Sequence, residues 1–193
     1  TSAAGEFRAF GTRAYPDVRG PAEEPLAIRR VQGEQSNSSI IYGSRLILKL
    51  VRRVEAGIDP ELDMSRYLTE RAALPFVPPL AGGLTYRRPG AAPMTVALLH
   101  SYIRSAGSGW DYTMDLLSRY YEQARGYTEV PLVLDMTIQR LLALADADIP
   151  EEARIAVGTY LVPAENLGQR TAALHLALEQ GMSDPAFAPE CMT

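Results

Sequence analysis

The sequence predicts an α+β chain in which an antiparallel sheet comes first and a helical segment follows. Three observations carry this. Residues 40–42 and 46–48 are short runs of strand-favouring residues on either side of a Gly43-Ser44 turn. Residues 80–86 and 94–99 form a second strand-like pair around Arg87-Arg88-Pro89-Gly90. From Asp111 onward the apolar residues recur at helical spacing instead.

A length of 193 residues allows one domain or two small subdomains. The pattern divides them into 1–104, a lead-in and sheet, and 105–193, a helical segment. With 47% apolar and 22% charged residues the composition is that of an ordinary globular chain. A net charge of −4 without a basic block speaks against nucleic acid as a partner. No apolar run approaches the roughly 20 residues that span a bilayer, and no signal-peptide pattern opens the chain. The single cysteine, Cys191, leaves no internal disulfide and fits a reducing, cytoplasmic location. Two histidines and one cysteine, far apart, make no metal motif.

Residues 1–25 read as an irregular lead-in, punctuated by Gly11, Pro16, Gly20, Pro21 and Pro25, with Phe7, Phe10 and Tyr15 expected against the sheet. Leu26-Ala27-Ile28 is the expected first strand, running into a polar loop, residues 34–39. After the next two strands Lys49 interrupts an apolar run, although lysine resists burial. It has two readings: a strand-edge charge pointing to water, or an ammonium beneath small polar residues whose amides and hydroxyls wrap an anion. Asp59-Pro60-Glu61-Leu62-Asp63 is a helix start, with Asp59 as cap, Pro60 at the first position and two acids in the first turn. An apolar face of Leu62, Met64, Tyr67, Leu68 and Ala72 carries that helix to about residue 73. Prolines 75 to 79 end it, and two more strands bring the sheet to about five.

The last strand leaves through His100-Ser101-Tyr102-Ile103. His100 reads as a partly exposed connection residue, since a catalytic histidine needs a partner and none is near in sequence. Trp110 is expected to staple a helix onto the core. Helices follow over 111–124 and 131–144. A third region starting at Ile149-Pro150 breaks at Gly158 or Pro163, resumes over 167–178 and ends at Gly181. His175 lies among apolar residues and reads as a core histidine. Residues 184–189 form an extended tail.

Glu34-Gln35-Ser36-Asn37-Ser38-Ser39, then a strand, then Leu46-Ile47-Leu48-Lys49-Leu50-Val51-Arg52-Arg53 resembles the start of the bacterial maltokinases. These are ATP-dependent sugar kinases with a protein-kinase-like, aminoglycoside-phosphotransferase-like fold. The form fused behind a trehalose synthase is the nearest likeness, and the resemblance runs from Phe10 to the last residue, including 167–178 and 184–189. Ser105-Ala106-Gly107-Ser108-Gly109-Trp110 is similar to the family's Asn-x-Gly-Asp-Gly-Trp loop, with serine at both polar anchors.

The resemblance implies the antiparallel-sheet N-lobe of a kinase-like fold followed by a helical segment, with the C-terminal catalytic lobe absent. It implies nucleotide contacts from Gln35, Ser36, Asn37, Ser38 and Ser39, and from Lys49 to the phosphates. The acid that orients Lys49 would be Asp63, an aspartate where the family has glutamate, with Glu70 as second candidate. The other reading of Asp63 is a surface charge favoured by the helix dipole. The backbone of Ser101 and Tyr102 would bind the adenine. The implied partners are ATP, magnesium, maltose and a trehalose synthase domain in cis. The family's His-Gly-Asp-type loop and Asp-Phe-Glu-Gly-type motif do not occur in this chain. The base, the magnesium ligands and most sugar contacts are therefore expected in a later lobe, and the chain alone is expected to be inactive. A reading from another class is a non-catalytic kinase-like module that regulates an attached trehalose synthase.

Overall fold

Leu80 and Leu98 are wholly buried, and the sheet is arranged around them. The computed structural model describes residues 5–31, 38–57, 59–126, 137–183 and 187. Its contacts divide the chain into two units, 1–104 with 172–193, and 105–171.

The first unit is a six-stranded antiparallel sheet in the order β1-β5-β6-β4-β3-β2. The strands are β1 (Glu6–Gly11), β2 (Ile28–Arg30), β3 (Ser38–Tyr42), β4 (Leu46–Leu50), β5 (Leu80–Arg87) and β6 (Met94–Ser101). Helix α1 (Tyr15–Arg19) follows β1, and helix α2 (Pro60–Glu70) lies between β4 and β5. The lysine strand is central, with the helix after it packed on one face and the last strand beside it. This is an α+β unit with an antiparallel sheet, as the sequence predicts.

The start of α2 forms as its sequence requires. The Asp59 carboxylate accepts from the amides of Glu61 and Leu62 at 2.9 and 3.1 Å, and Pro60 takes a position whose amide needs no partner. Leu62 then closes onto Leu80 and Leu98, with Phe10 of β1 against the same cluster. The guanidinium of Arg66 lies 5.1 Å from the Phe10 ring centre.

The lead-in differs from its expectation. Residues 6–11 are a regular edge strand rather than irregular chain, and they make the sheet six-stranded. The reason lies in β5. A Cβ on Gly82 would come within 2.3 Å of the Phe10 carbonyl oxygen, and one on Gly83 within 2.8 Å of the Ala97 carbonyl oxygen. Two glycines there let three strands close up, and that demand is invisible from the lead-in itself. Phe10 meets the core as expected, whereas Phe7 stays 62% exposed with its ring 4.8 Å from that of Tyr86.

Residues 172–193, expected with the helical segment, group with the sheet. The Tyr67 hydroxyl of α2 donates to the Ala177 carbonyl at 2.6 Å, and its ring lies 4.7 Å from that of Phe187. His175 is exposed, not a core histidine, because the inward side of this stretch is carried by Ala177.

In the second unit α3 (Gly109–Ala124) opens with a reciprocal cap between Ser108 and Asp111. Helix α4 (Ile138–Ala145) is capped by Thr137; the expected helix residues 131–136 lie outside the described residues. Helix α5 (Glu151–Val157) ends at Gly158 with φ 55°, a 3₁₀ turn follows over Gly158–Tyr160, and α6 (Leu161–Glu179) runs straight through Pro163. The expected break is therefore at Gly158 alone. Proline is tolerated in a first turn, where its missing amide has no helical partner. The Thr113 and Tyr160 hydroxyls lie 3.1 Å apart, beside stacked Tyr112 and Tyr160 rings. Trp110 is 72% exposed rather than buried, since it precedes Tyr112 and Thr113, which make these contacts. Among the described residues no helix is long and apolar enough to cross a membrane.

Leu98→Ala removes the centre of this packing and is expected to destabilise the protein by about 2–5 kcal/mol. Urea unfolding of the polypeptide that carries this chain measures it. A loss below about 1 kcal/mol would take Leu98 out of the core.

Candidate functional site

Side chains opposite one another in a sheet share a face, and the register here assembles one face residue by residue. Ser39 of β3 is opposite Lys49 of β4, which is opposite Leu98 of β6. One step down the ladder Ile41 is opposite Ile47, which is opposite His100. Helix α2 packs on this face. Lys49 is therefore not an edge charge. It sits in a central strand, one residue from its end, with its ammonium carried out to the first turn of α2.

There the ammonium donates to both carboxylate oxygens of Glu61, each at 2.7 Å. Lys49 is 32% exposed and Glu61 46%, so water still reaches the pair. The ion pair expected with Asp63 is made by Glu61 instead. The cause is helix geometry: residues two apart are separated by about 200° around the axis. With Glu61 and Leu62 facing the sheet, Asp63 is carried round the other side. Glu70, nine residues beyond Glu61, is turned away by about 180° on the same count. Sequence reasoning fixed the helix start but not its rotation. Two signals were available. Leu62 is the first apolar residue that must face inward, which brings its neighbour Glu61 with it. Lys49 is also the chain's only lysine, set among many arginines.

The inward stripe of α2 continues in steps of four. The Ser65 hydroxyl lies 3.2 Å from His100 Nε2, and Thr69 Oγ1 accepts from the Leu80 amide at 2.8 Å. Burial pushes the His100 imidazole below its ordinary value of 6.5. The Glu61 carboxylate opposes that shift and the Lys49 ammonium adds to it. His100 is thus a seam residue between helix and sheet, partnered by a side chain from a distant part of the sequence.

Of the expected nucleotide contacts, Gln35, Ser36 and Asn37 lie outside the described residues. Ser38 and Ser39 open β3; Ser39 is buried across from Lys49, and its carbonyl accepts from the Val31 amide at 3.0 Å. Ser101 ends the last strand and Tyr102 follows it, with their amides already engaged. Ser101 donates to the Pro79 carbonyl at 2.9 Å, and Tyr102 to the Arg45 carbonyl at 2.7 Å. Among the described residues no three His, Cys, Asp or Glu side chains are grouped to hold a metal ion.

The site is thus a strand lysine clasped by a glutamate of the following helix, with the last strand of the sheet beside it. Comparison with known proteins finds similarity to glucosamine kinases. The glucosamine kinase of Streptacidiphilus jiangxiensis is 27% identical over 184 residues, covering 92% of this chain and 35% of that protein. Two solved glucosamine kinase structures are similar at 22% identity and a TM-score of 0.49. One is in complex with glucosamine, ADP and inorganic phosphate, the other in a second crystal form; the match covers 92% of this chain and 32% of theirs. No family sequence profile matches the chain. The chain spans about a third of the length of these relatives.

Because burial disfavours the imidazolium, the folded chain holds His100 neutral where the unfolded chain has begun to protonate. The stability this provides is complete above 6.5 and is lost as pH falls through the lower folded value. Urea midpoints taken between about pH 8 and pH 5 are expected to fall on the acid side. His100→Gln, which cannot ionise, is expected to flatten that part of the curve. An unchanged curve in the variant would assign the acid loss to other groups.

Proposed function

We propose that this chain is the nucleotide-side lobe of an ATP-dependent sugar kinase. The observation that carries the reading is the Lys49–Glu61 pair. It holds an ammonium at the end of a central strand, beside Ser39, where the segment joining β2 and β3 returns to the sheet. Lys49 supplies a point charge to the phosphates of ATP, and Glu61 keeps it aimed. Gln35, Ser36, Asn37, Ser38 and Ser39 supply amides and hydroxyls to the same phosphates. The adenine lies against Ser101 and Tyr102. Their amides are engaged within the sheet, so the base is read there through carbonyl oxygens.

In the transfer, the bond between the γ-phosphorus and the β–γ bridging oxygen breaks, and a sugar hydroxyl oxygen takes its place on phosphorus. ADP leaves with the bridging oxygen, and the hydroxyl proton passes to a base. We assign that base, the magnesium ligands and most sugar contacts to polypeptide outside this chain. The 35% coverage of the curated relative supports this, and the isolated chain is expected to be inactive. For the sugar there are two proposals. The loop-strand-lysine resemblance implies maltose, phosphorylated to maltose 1-phosphate by a kinase fused to a trehalose synthase. The similarity to a glucosamine kinase points to an amino sugar. A cytoplasmic location agrees with either.

Phosphate transfer from ATP to a sugar panel containing maltose and glucosamine, by the full-length polypeptide, tests this. One sugar is expected to be phosphorylated, and Lys49→Met is expected to lose about a hundredfold or more of that rate. Glu61→Gln is expected to lose less, and Asp63→Asn to stay near wild type. Turnover of no sugar, or an unimpaired Lys49→Met, would remove the kinase reading.

A further inference from the structure

The Lys49–Glu61 pair raises a question of aim. Both partners are long, flexible and part-exposed, and an exposed pair contributes about 1 kcal/mol at most. Such a pair cannot hold a helix in place. Nor can the apolar contact of Leu62 with Leu80 and Leu98 do so alone, since hydrophobic attraction has no preferred direction. A helix held only that way could rock about Leu62 or slide slightly with little change in buried area, and Glu61 would swing off Lys49.

The structure contains a directional lock. Glu61, Ser65 and Thr69 stand four residues apart and so lie in one row along α2. Each meets a polar group on a different strand: Lys49 on β4, His100 on β6 and the Leu80 amide on β5. These are successive strands in the sheet. The row advances about 6 Å per step, across strands about 4.8 Å apart. A turn of the helix by one residue, about 100°, would therefore break all three contacts together.

We propose that Ser65 and His100 are positioning residues: their hydrogen bond fixes the rotation of α2 and thereby holds Glu61 on Lys49. The middle rung is the decisive one. The outer rungs end on a flexible ammonium and on a backbone amide at a strand end. The His100 ring is stiff, half-buried, and rooted in β6 between Ile47 and Leu80. The charged groups that bear on that ring are Glu61 of α2 and Lys49 of β4, while its neighbour from β5 is the apolar Leu80. The inference rests on the nucleotide reading only for its consequence; the lock itself does not.

The test uses the full-length polypeptide and two readouts. The first is acylation of Lys49 by a small amine-reactive ester without nucleotide, followed by peptide mass spectrometry; Lys49 is the only lysine in this chain, which makes the peptide unambiguous. Ser65→Ala and His100→Leu are expected to acylate Lys49 several-fold faster than wild type. Ser65→Thr, which restores the hydroxyl, is expected to return to the wild-type rate. A merely structural role would give lowered stability in all three without this split. Unchanged acylation in both Ser65→Ala and His100→Leu would overturn the lock, as would failure of Ser65→Thr to restore protection in a folded protein. The second readout is affinity for a non-hydrolysable ATP analogue, expected to weaken several-fold in Ser65→Ala and to be lost in Lys49→Met. If Lys49→Met binds the analogue normally, the nucleotide reading fails and the acylation result still decides the lock.

Discussion

Leu62 wedged between the sheet and its helix is the contact on which the rest of the first unit depends. Burying a leucine side chain is worth about 1.5–3 kcal/mol, and Leu80 and Leu98 beneath it are wholly out of water. The part-exposed Lys49–Glu61 pair contributes less than any of these leucines. The division of labour follows from those magnitudes. Apolar burial presses α2 onto the sheet. Polar contacts, weaker but directional, decide which way the helix faces when it gets there.

The same reasoning explains how a lysine survives in a central strand. Lys49 has a neighbour on each side, Ser39 and Leu98, so its backbone is fully committed to the ladder. A charge in the middle of such a strand would be trapped under the helix at high cost. Placed one residue from the strand end, the four-carbon stem covers apolar surface while the ammonium emerges beside the first turn of α2. The Asp59 cap and Pro60 set where that turn begins, and so set where the carboxylate stands.

Much of this was legible in the sequence, for a physical reason. Strand runs, the glycine turn at Gly43 and the Asp59-Pro60 helix start are local signals, and each reports on its own few residues. What the sequence withheld was non-local. Helix rotation is settled only when α2 docks, where Leu62 meets the core and Ser65 meets His100, and the partner of Lys49 is then Glu61 rather than the expected Asp63. The edge strand β1 depends on two glycines in β5, more than seventy residues away. No partner for His100 is near in sequence because Ser65 lies 35 residues upstream and meets it only once the helix has docked. The size of Trp110 favours the core, whereas its place at the head of α3 leaves it exposed.

The choice of lysine at position 49 also has a physical argument, since every other Lys or Arg position of the chain is arginine. A guanidinium presents a rigid planar fork, suited to holding one carboxylate in one geometry. An ammonium is a compact point charge with three donors that can be shared. Two of these reach the oxygens of Glu61 in the structure, and on the proposed nucleotide reading the third serves a phosphate oxygen without breaking the pair. An arginine here would bind its glutamate in both prongs and commit its planar fork to it. On that proposed reading the cation must be held in place and still offered to a ligand, which the less specific group does better.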